Sequence, residues 1–108
     1  MSDKEEFIKY LEGICSEGWH VVSLQLENSS SGPLSIILEP MGDLLTLAPG
    51  TKYEVIGQQP RDYGIHLEFS QDYIQVWVES FSGVFQGDVA LETTYYLICR
   101  QKMQESST

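Results

Sequence analysis

The amino-acid sequence predicts a mainly β fold, an antiparallel sandwich or small barrel of about seven strands with one N-terminal α-helix. Beyond residue 18, apolar residues recur at alternate positions, which is the period of a strand that buries one face. Short turns separate these segments, and strands do not alternate with helices as they do in parallel α/β folds. The chain has 108 residues, which fits one domain over residues 1–108.

The first element is a helix predicted over residues 3–17. Ser2 followed by Glu5 forms a capping box, in which each side chain satisfies a backbone N–H of the other residue. Gly18 is a natural left-handed stop, so the β-rich region is predicted over residues 19–100. Apolar residues recur along the helix at intervals of three and four and form one stripe for packing on a sheet. The stripe consists of Phe7, Tyr10, Leu11, Ile14 and Cys15.

The first strands are separated by loops rich in Ser, Gly and Pro. A strand containing Tyr53 and Val55 follows a type II turn at residues 48–51, because proline presets the second turn position and glycine accepts a positive φ at the third. The preceding strands are predicted at residues 19–27, 34–39 and 44–47.

A hairpin with its loop at residues 71–72 has the best-specified register, because a slip of one residue would mix its apolar and polar faces. The apolar face pairs Ile65 with Val78, Leu67 with Val76, and Phe69 with Ile74. The other face pairs His66 with Trp77, Glu68 with Gln75, and Ser70 with Tyr73.

The C-terminal third has weaker patterns. Residues 84–91 fit a second hairpin around residues 86–88. Residues 93–100 are rich in β-branched and aromatic side chains, and this composition predicts a final strand. Residues 104–108 are polar and predict a frayed tail.

The charge is strongly acidic, with 16 Asp and Glu against 6 Lys and Arg, for a net charge of −10. Residues 10–51 and 62–99 contain no Lys or Arg. Nucleic acids and anionic membranes are bound through basic side chains, so the sequence disfavours both as partners. The negative charge would attract a basic protein and would increase the rate at which the two proteins associate. Acidity also keeps a small protein soluble, and this second interpretation remains open.

The sequence indicates no enzyme, metal site or cofactor. Cys15 and Cys99 have neither CxxC spacing nor a nearby histidine, and no GxSxG elbow or phosphate loop occurs. The N-terminus has no secretion-signal pattern, which predicts a cytoplasmic protein. In that compartment the two cysteines are expected as buried thiols, and a bridge between the first helix and the last strand is the alternative.

The polar face of the predicted hairpin is the candidate partner-binding site, because Trp and Tyr among acidic residues are common anchors at protein interfaces. Its residues are His66, Glu68, Tyr73, Gln75, Trp77 and Glu79. The alternative is that the helix or a second sheet covers this face and makes Trp77 part of the core. Large aromatic side chains are mostly buried, which favours that alternative.

One region resembles a family. Residues 34–43 read LSIILEPMGD, and residues 47–55 read LAPGTKYEV. This LEPxG…LxPGxxYxV pattern resembles small uncharacterised bacterial proteins with a β-sandwich-like domain. The family pattern has tryptophan where this chain has Met41. The resemblance covers about a quarter of the chain and implies a β-sandwich but no activity.

The sequence therefore predicts a non-catalytic acidic interaction protein that binds a basic partner in an inhibitor, immunity-type or adaptor role. A homodimer through an edge strand is compatible with this function. The alternative is a small-molecule-binding β-domain, with an apolar pocket lined by Tyr53, Tyr95 or Trp77.

Overall fold

The computed structural model describes residues 1–106, which form two four-stranded sheets and two helices. The predicted mainly β architecture with an N-terminal helix is confirmed; the strands number eight, and the sheets do not close into a barrel. The elements are α1 (Asp3–Ile14), β1 (Trp19–Glu27), β2 (Leu34–Glu39), β3 (Asp43–Leu47), β4 (Lys52–Pro60), β5 (His66–Phe69), β6 (Ile74–Trp77), β7 (Ser82–Gln86), β8 (Val89–Ala90) and α2 (Thr94–Ser106).

The eight strands divide between sheet A, in the order β1-β4-β7-β8, and sheet B, in the order β3-β2-β6-β5. Every pair in sheet A is antiparallel. In sheet B, β2 and β6 are parallel, which differs from the purely antiparallel arrangement expected from the sequence. Side chains alternate between the faces of a strand in both kinds of pair, so the sequence pattern cannot distinguish them.

Sheet A lies between sheet B on one face and the two helices on the other. The core between the sheets is formed by Ile36, Leu38, Leu47, Val55, Val76, Val78 and Val84. The core between sheet A and the helices is formed by Phe7, Leu11, Ile56, Phe85, Tyr96 and Cys99. One face of sheet B packs on sheet A. Because both helices pack on sheet A, no helix covers the other face of sheet B, and that face carries exposed side chains.

Two local features predicted from the sequence are present, one within sheet B and one in the connection from sheet B to sheet A. The β5–β6 hairpin has the expected pairing, with His66 opposite Trp77 and Glu68 opposite Gln75. In the turn before β4, Gly50 has φ +77° and the Thr51 N–H donates to the Ala48 carbonyl at 3.2 Å. Type II turns need a positive φ at that glycine, so the expected turn is present.

Helix α1 starts as predicted but ends at Ile14, three residues before the expected end. The Ser2 hydroxyl accepts a hydrogen bond from the Glu5 N–H at 3.2 Å, which caps the helix. Lys4 ties α1 to sheet A through an ion pair with Glu54 at 2.9 Å. The pKa of Glu54 is lowered, mainly by the hydrogen bond from the Ser23 hydroxyl and further by the hydrogen bond and positive charge of Lys4. Partial burial of the carboxyl group acts in the other direction and raises the pKa.

The largest correction concerns the C-terminal region, where residues 94–106 form helix α2 instead of a strand and a frayed tail. Residues 107–108 of that predicted tail lie outside the described residues. Tyr96, Cys99 and Met103 recur at intervals of three and four, and all three pack against the core beneath the helices. This stripe outweighs the strand propensity of the β-branched and aromatic residues.

Asp43, at the start of β3, caps α2 from outside the helix. Its carboxylate accepts hydrogen bonds from the Thr94 N–H at 3.1 Å and the Thr94 hydroxyl at 2.8 Å. A carboxylate at a helix N-terminus accepts a hydrogen bond from an otherwise unpaired N–H group. Its negative charge also interacts favourably with the positive end of the helix dipole.

Replacing Asp43 with alanine is expected to lower the free energy of unfolding by about 1.5 kcal/mol, because it removes this cap. The measurement is urea denaturation followed by circular dichroism. Asp72→Ala is the control, since Asp72 is exposed in the β5–β6 turn, and a change within about 0.5 kcal/mol is expected there. Equal losses in the two variants would contradict the capping role.

Candidate protein-binding face

The candidate site is the outer face of sheet B, the face that points away from sheet A. Strand β6 places Gln75 and Trp77 on this side, and its neighbour β5 places His66 and Glu68 beside them. Tyr73 directly precedes β6 and is exposed. Glu79 follows the end of β6 and is also exposed, and its backbone N–H donates to the Gln59 side chain. The structure therefore brings the predicted residues together along one hairpin.

Strand β2 adds residues that the sequence analysis missed. Glu39 lies directly beside Trp77 in the parallel β2–β6 pair, and Ile37 lies beside Gln75. Strand β3 then adds Leu44, which faces Ile37 and is 69% exposed. Alternation along β2 and β3 could have assigned these residues to a solvent face. Their position next to the hairpin depends on the β2–β6 pairing.

Two cross-strand rows define the centre of the face. The first row runs from Glu39 through Trp77 to His66, so that a carboxylate and an imidazole flank the indole. The second row runs from Ile37 through Gln75 to Glu68. The Gln75 side chain donates to the Glu39 carboxylate at 3.4 Å, which links the two rows. His66 Nε2 lies 3.3 Å from the Glu68 carboxylate, and both side chains are exposed. The indole of Trp77 thus lies between two polar side chains, a carboxylate and an imidazole.

Trp77 is 36% exposed, as is Tyr73. The sequence favoured burial of this face beneath a helix or a second sheet, with Trp77 in the core. In the structure neither a helix nor a sheet covers the outer face of sheet B. Helix α1 packs on sheet A, and sheet A covers the other face of sheet B. Trp77 therefore lies at the surface and belongs to neither core.

Charge is distributed unevenly between the two sheets. In the described residues, the four strands of sheet B contain no Lys or Arg, whereas Glu39 and Glu68 lie on the outer face. The basic residues belong to the helices, to β4 and to the turn that follows β4. They are Lys4, Lys9, Lys52, Arg61, Arg100 and Lys102. The carboxylates on the outer face of sheet B therefore have no Lys or Arg beside them in that sheet.

Shallow grooves adjoin both ends of β6. One, of about 170 Å³, is lined by Pro40, Trp77, Val78 and Glu79. The other, of about 390 Å³, lies at the β5–β6 turn and includes Phe69, Tyr73 and Asp72 in its lining. Each groove thus combines an aromatic ring with a carboxylate, and both are open to solvent.

The aromatic residues proposed for a small-molecule pocket lie in three separate places. Tyr53 lines a groove of about 180 Å³, and its hydroxyl donates to the Thr46 carbonyl at 3.2 Å. Tyr95 packs edge-on against Phe81, with ring centroids 5.3 Å apart. Trp77 lies on the outer face of sheet B. No two of these three residues share a groove among those described here, and apolar side chains fill the space between the sheets.

The two thiols are free and differ in environment. Cys99 is buried beneath α2, and burial raises the pKa of its thiol to about 11. Cys15 is half-buried where α1 ends. Among residues 1–106, no three His, Cys, Asp or Glu side chains group together as a metal site requires.

Cys15 is expected to react with iodoacetamide at least 100-fold faster than Cys99 at pH 8. The thiolate is the nucleophile. The pKa of Cys99, about 11 instead of the ordinary 9, lowers the fraction of Cys99 present as thiolate about 100-fold. Mass spectrometry of peptides from the native protein measures both rates, and the unfolded protein provides the control with similar rates. Native rates within threefold of each other would contradict this difference.

None of the described helices is long and apolar enough to cross a bilayer. Comparison of the chain with protein-family models, with curated proteins and with solved structures finds no match. The resemblance over residues 34–55 therefore stays a prediction.

Proposed function

We propose that this chain is a non-catalytic acidic interaction protein and that the outer face of sheet B binds a basic protein partner. The observation that carries the proposal is the position of Trp77, half-exposed between Glu39 and His66 in a sheet without Lys or Arg. An inhibitor, an immunity-type protein or an adaptor would use such a surface.

The aromatic and acidic groups have different roles in this proposal. Trp and Tyr bury a large area at a small cost in side-chain entropy, so Trp77 and Tyr73 would act as anchors. Glu39 and Glu68 would orient the partner and accelerate encounter, because exposed charges act mainly on association rate and specificity. The grooves beside Trp77 and Tyr73 each have a carboxylate in their lining, which suits the aliphatic stem and charged head of Lys or Arg.

The test is capture of partners from the native host at low salt on three immobilised proteins: wild type, Glu68→Lys and Glu12→Lys. Glu12 is exposed on α1, away from sheet B. Each substitution replaces a charge of −1 by +1, so both variants carry −8 instead of −10. Only the location of the change differs between them.

A basic protein retained by wild type and Glu12→Lys, but bound roughly tenfold less by Glu68→Lys, is the expected result, because like charges across an interface are strongly unfavourable. Equal loss in both variants would mean that overall acidity, and not this face, attracts the protein. Retention of no basic protein by wild type would contradict the proposed function.

A further inference from the structure

The edge of sheet A formed by β1 is long and regular. All nine residues of Trp19–Glu27 pair with β4 in one unbroken register, and β1 is the terminal strand of the sheet. The strand contains one charged residue, Glu27 at its end, and neither Lys nor Pro. Exposed strand edges usually carry such residues, or bulges, because these prevent pairing with another chain.

The other strand edges in the described chain are shorter. At the opposite side of sheet A, β8 has two residues. The edges of sheet B are β3, with five residues, and β5, with four residues that include Glu68. Strand β1 therefore offers by far the longest unpaired row of backbone groups in residues 1–106.

The hydrogen bonds at both ends of β1 show which backbone groups form that row. The Asn28 N–H donates to Thr51, and the Gly18 carbonyl accepts from Arg61, so even-numbered residues face β4. Residues of an antiparallel strand alternate in this respect. The N–H and C=O groups of Val21, Ser23 and Gln25 consequently point away from β4, toward the open edge.

We infer that β1 pairs with β1 of a second copy of this chain, antiparallel about a two-fold axis at Ser23. In this register Val21 faces Gln25 and Trp19 faces Glu27, so the two Glu27 carboxylates do not oppose each other. On the opposite face of the strand, half-buried Val22 and Leu24 of the two copies face one another. Self-complementarity of this kind is what a two-fold interface requires, and it favours a second copy over an unrelated strand.

Sedimentation velocity over a range of protein concentrations tests this inference with wild type, Ser23→Pro and Ser23→Ala. Proline removes the N–H that points to the open edge, and it is tolerated at such edge positions because the bonds to β4 remain. Alanine keeps that N–H and removes the same hydroxyl bond to Glu54, which makes it the matched control.

The expected result is a dimer whose dissociation constant rises about 30-fold in Ser23→Pro, because two intermolecular hydrogen bonds are lost, and less than threefold in Ser23→Ala. Added salt should strengthen the dimer, since it screens the repulsion between two chains of charge −10. A monomer at all concentrations, or a wild-type dimer that Ser23→Pro leaves intact, would overturn the inference.

Hydrogen exchange of the wild-type protein gives a second test that does not depend on a variant folding. The amides of Val21, Ser23 and Gln25 should become protected as protein concentration rises, while those of Val22 and Leu24 are already bonded to β4. A dimer without added protection at the odd-numbered positions would contradict pairing through β1. This inference does not depend on the proposed partner, whose binding should weaken with salt.

Discussion

Replacing Phe85 with alanine is expected to lower the free energy of unfolding by about 4 kcal/mol, the largest loss from any single substitution considered for this chain. Phe85 lies in β7, is fully buried, and joins both helices to sheet A. Its ring centroid lies 5.4 Å from that of Phe7 in α1 and 5.7 Å from that of Tyr96 in α2. Alanine would leave a cavity where three rings meet.

Urea denaturation followed by circular dichroism measures this loss, and Phe69→Ala is the matched control. Phe69 is also a strand residue, in β5, but is 74% exposed, so its removal should change stability by less than about 0.5 kcal/mol. A loss below about 1.5 kcal/mol in Phe85→Ala would contradict the role of this ring as the junction of the helical layer.

Replacing Asn28 with alanine is expected to cost about 3 kcal/mol, because it leaves buried backbone groups without partners. Asn28 is fully buried in the loop after β1. Its side-chain amide donates to the carbonyls of Gly32 and Leu47, each at 2.8 Å, and its oxygen accepts from the Ser30 N–H at 2.9 Å. One side chain thus holds the 28–33 loop against the end of β3.

The control for Asn28 is Ser29→Ala, which alters the adjacent, exposed residue of the same loop. We expect less than about 0.5 kcal/mol from that change. Thermal and urea unfolding of the two variants measure the comparison. If Asn28→Ala were as stable as Ser29→Ala, the hydrogen bonds of this amide would not contribute to the fold.

The sequence predicts the parts of this fold that depend on local pattern. The β5–β6 hairpin is the best example, because one register alone separates its apolar and polar faces, and the structure has that register. The turn at Gly50 is similarly local. The capping residue Ser2 marks the start of α1 for the same reason.

The missed features depend on contacts between distant segments. Strand propensity in residues 93–100 is overcome by burial of Tyr96 and Cys99 against Phe7 and Phe85, which belong to other elements. The cap on α2 comes from Asp43, 51 positions earlier in the chain. Neither contact has a signature in the local sequence, although the spacing of Tyr96, Cys99 and Met103 fits a helix.

The sequence could predict only the part of the candidate site that lies on the β5–β6 hairpin. His66, Glu68, Gln75 and Trp77 share a face by strand alternation, and the structure places them together. The addition of Glu39 requires the parallel β2–β6 pair, which alternation cannot reveal. Exposure of Trp77 likewise depends on which sheet the helices cover.

The central claim is that the outer face of sheet B binds a basic protein, and the dissociation constant of the captured partner, measured at about 50 mM and about 500 mM salt, tests it most directly. The proposal predicts weaker binding at high salt and roughly 30-fold weaker binding for Trp77→Ala at both salt concentrations. Ile98→Ala, which removes an exposed apolar side chain from α2, should bind like wild type. A dissociation constant independent of salt and unchanged by Trp77→Ala would contradict the account.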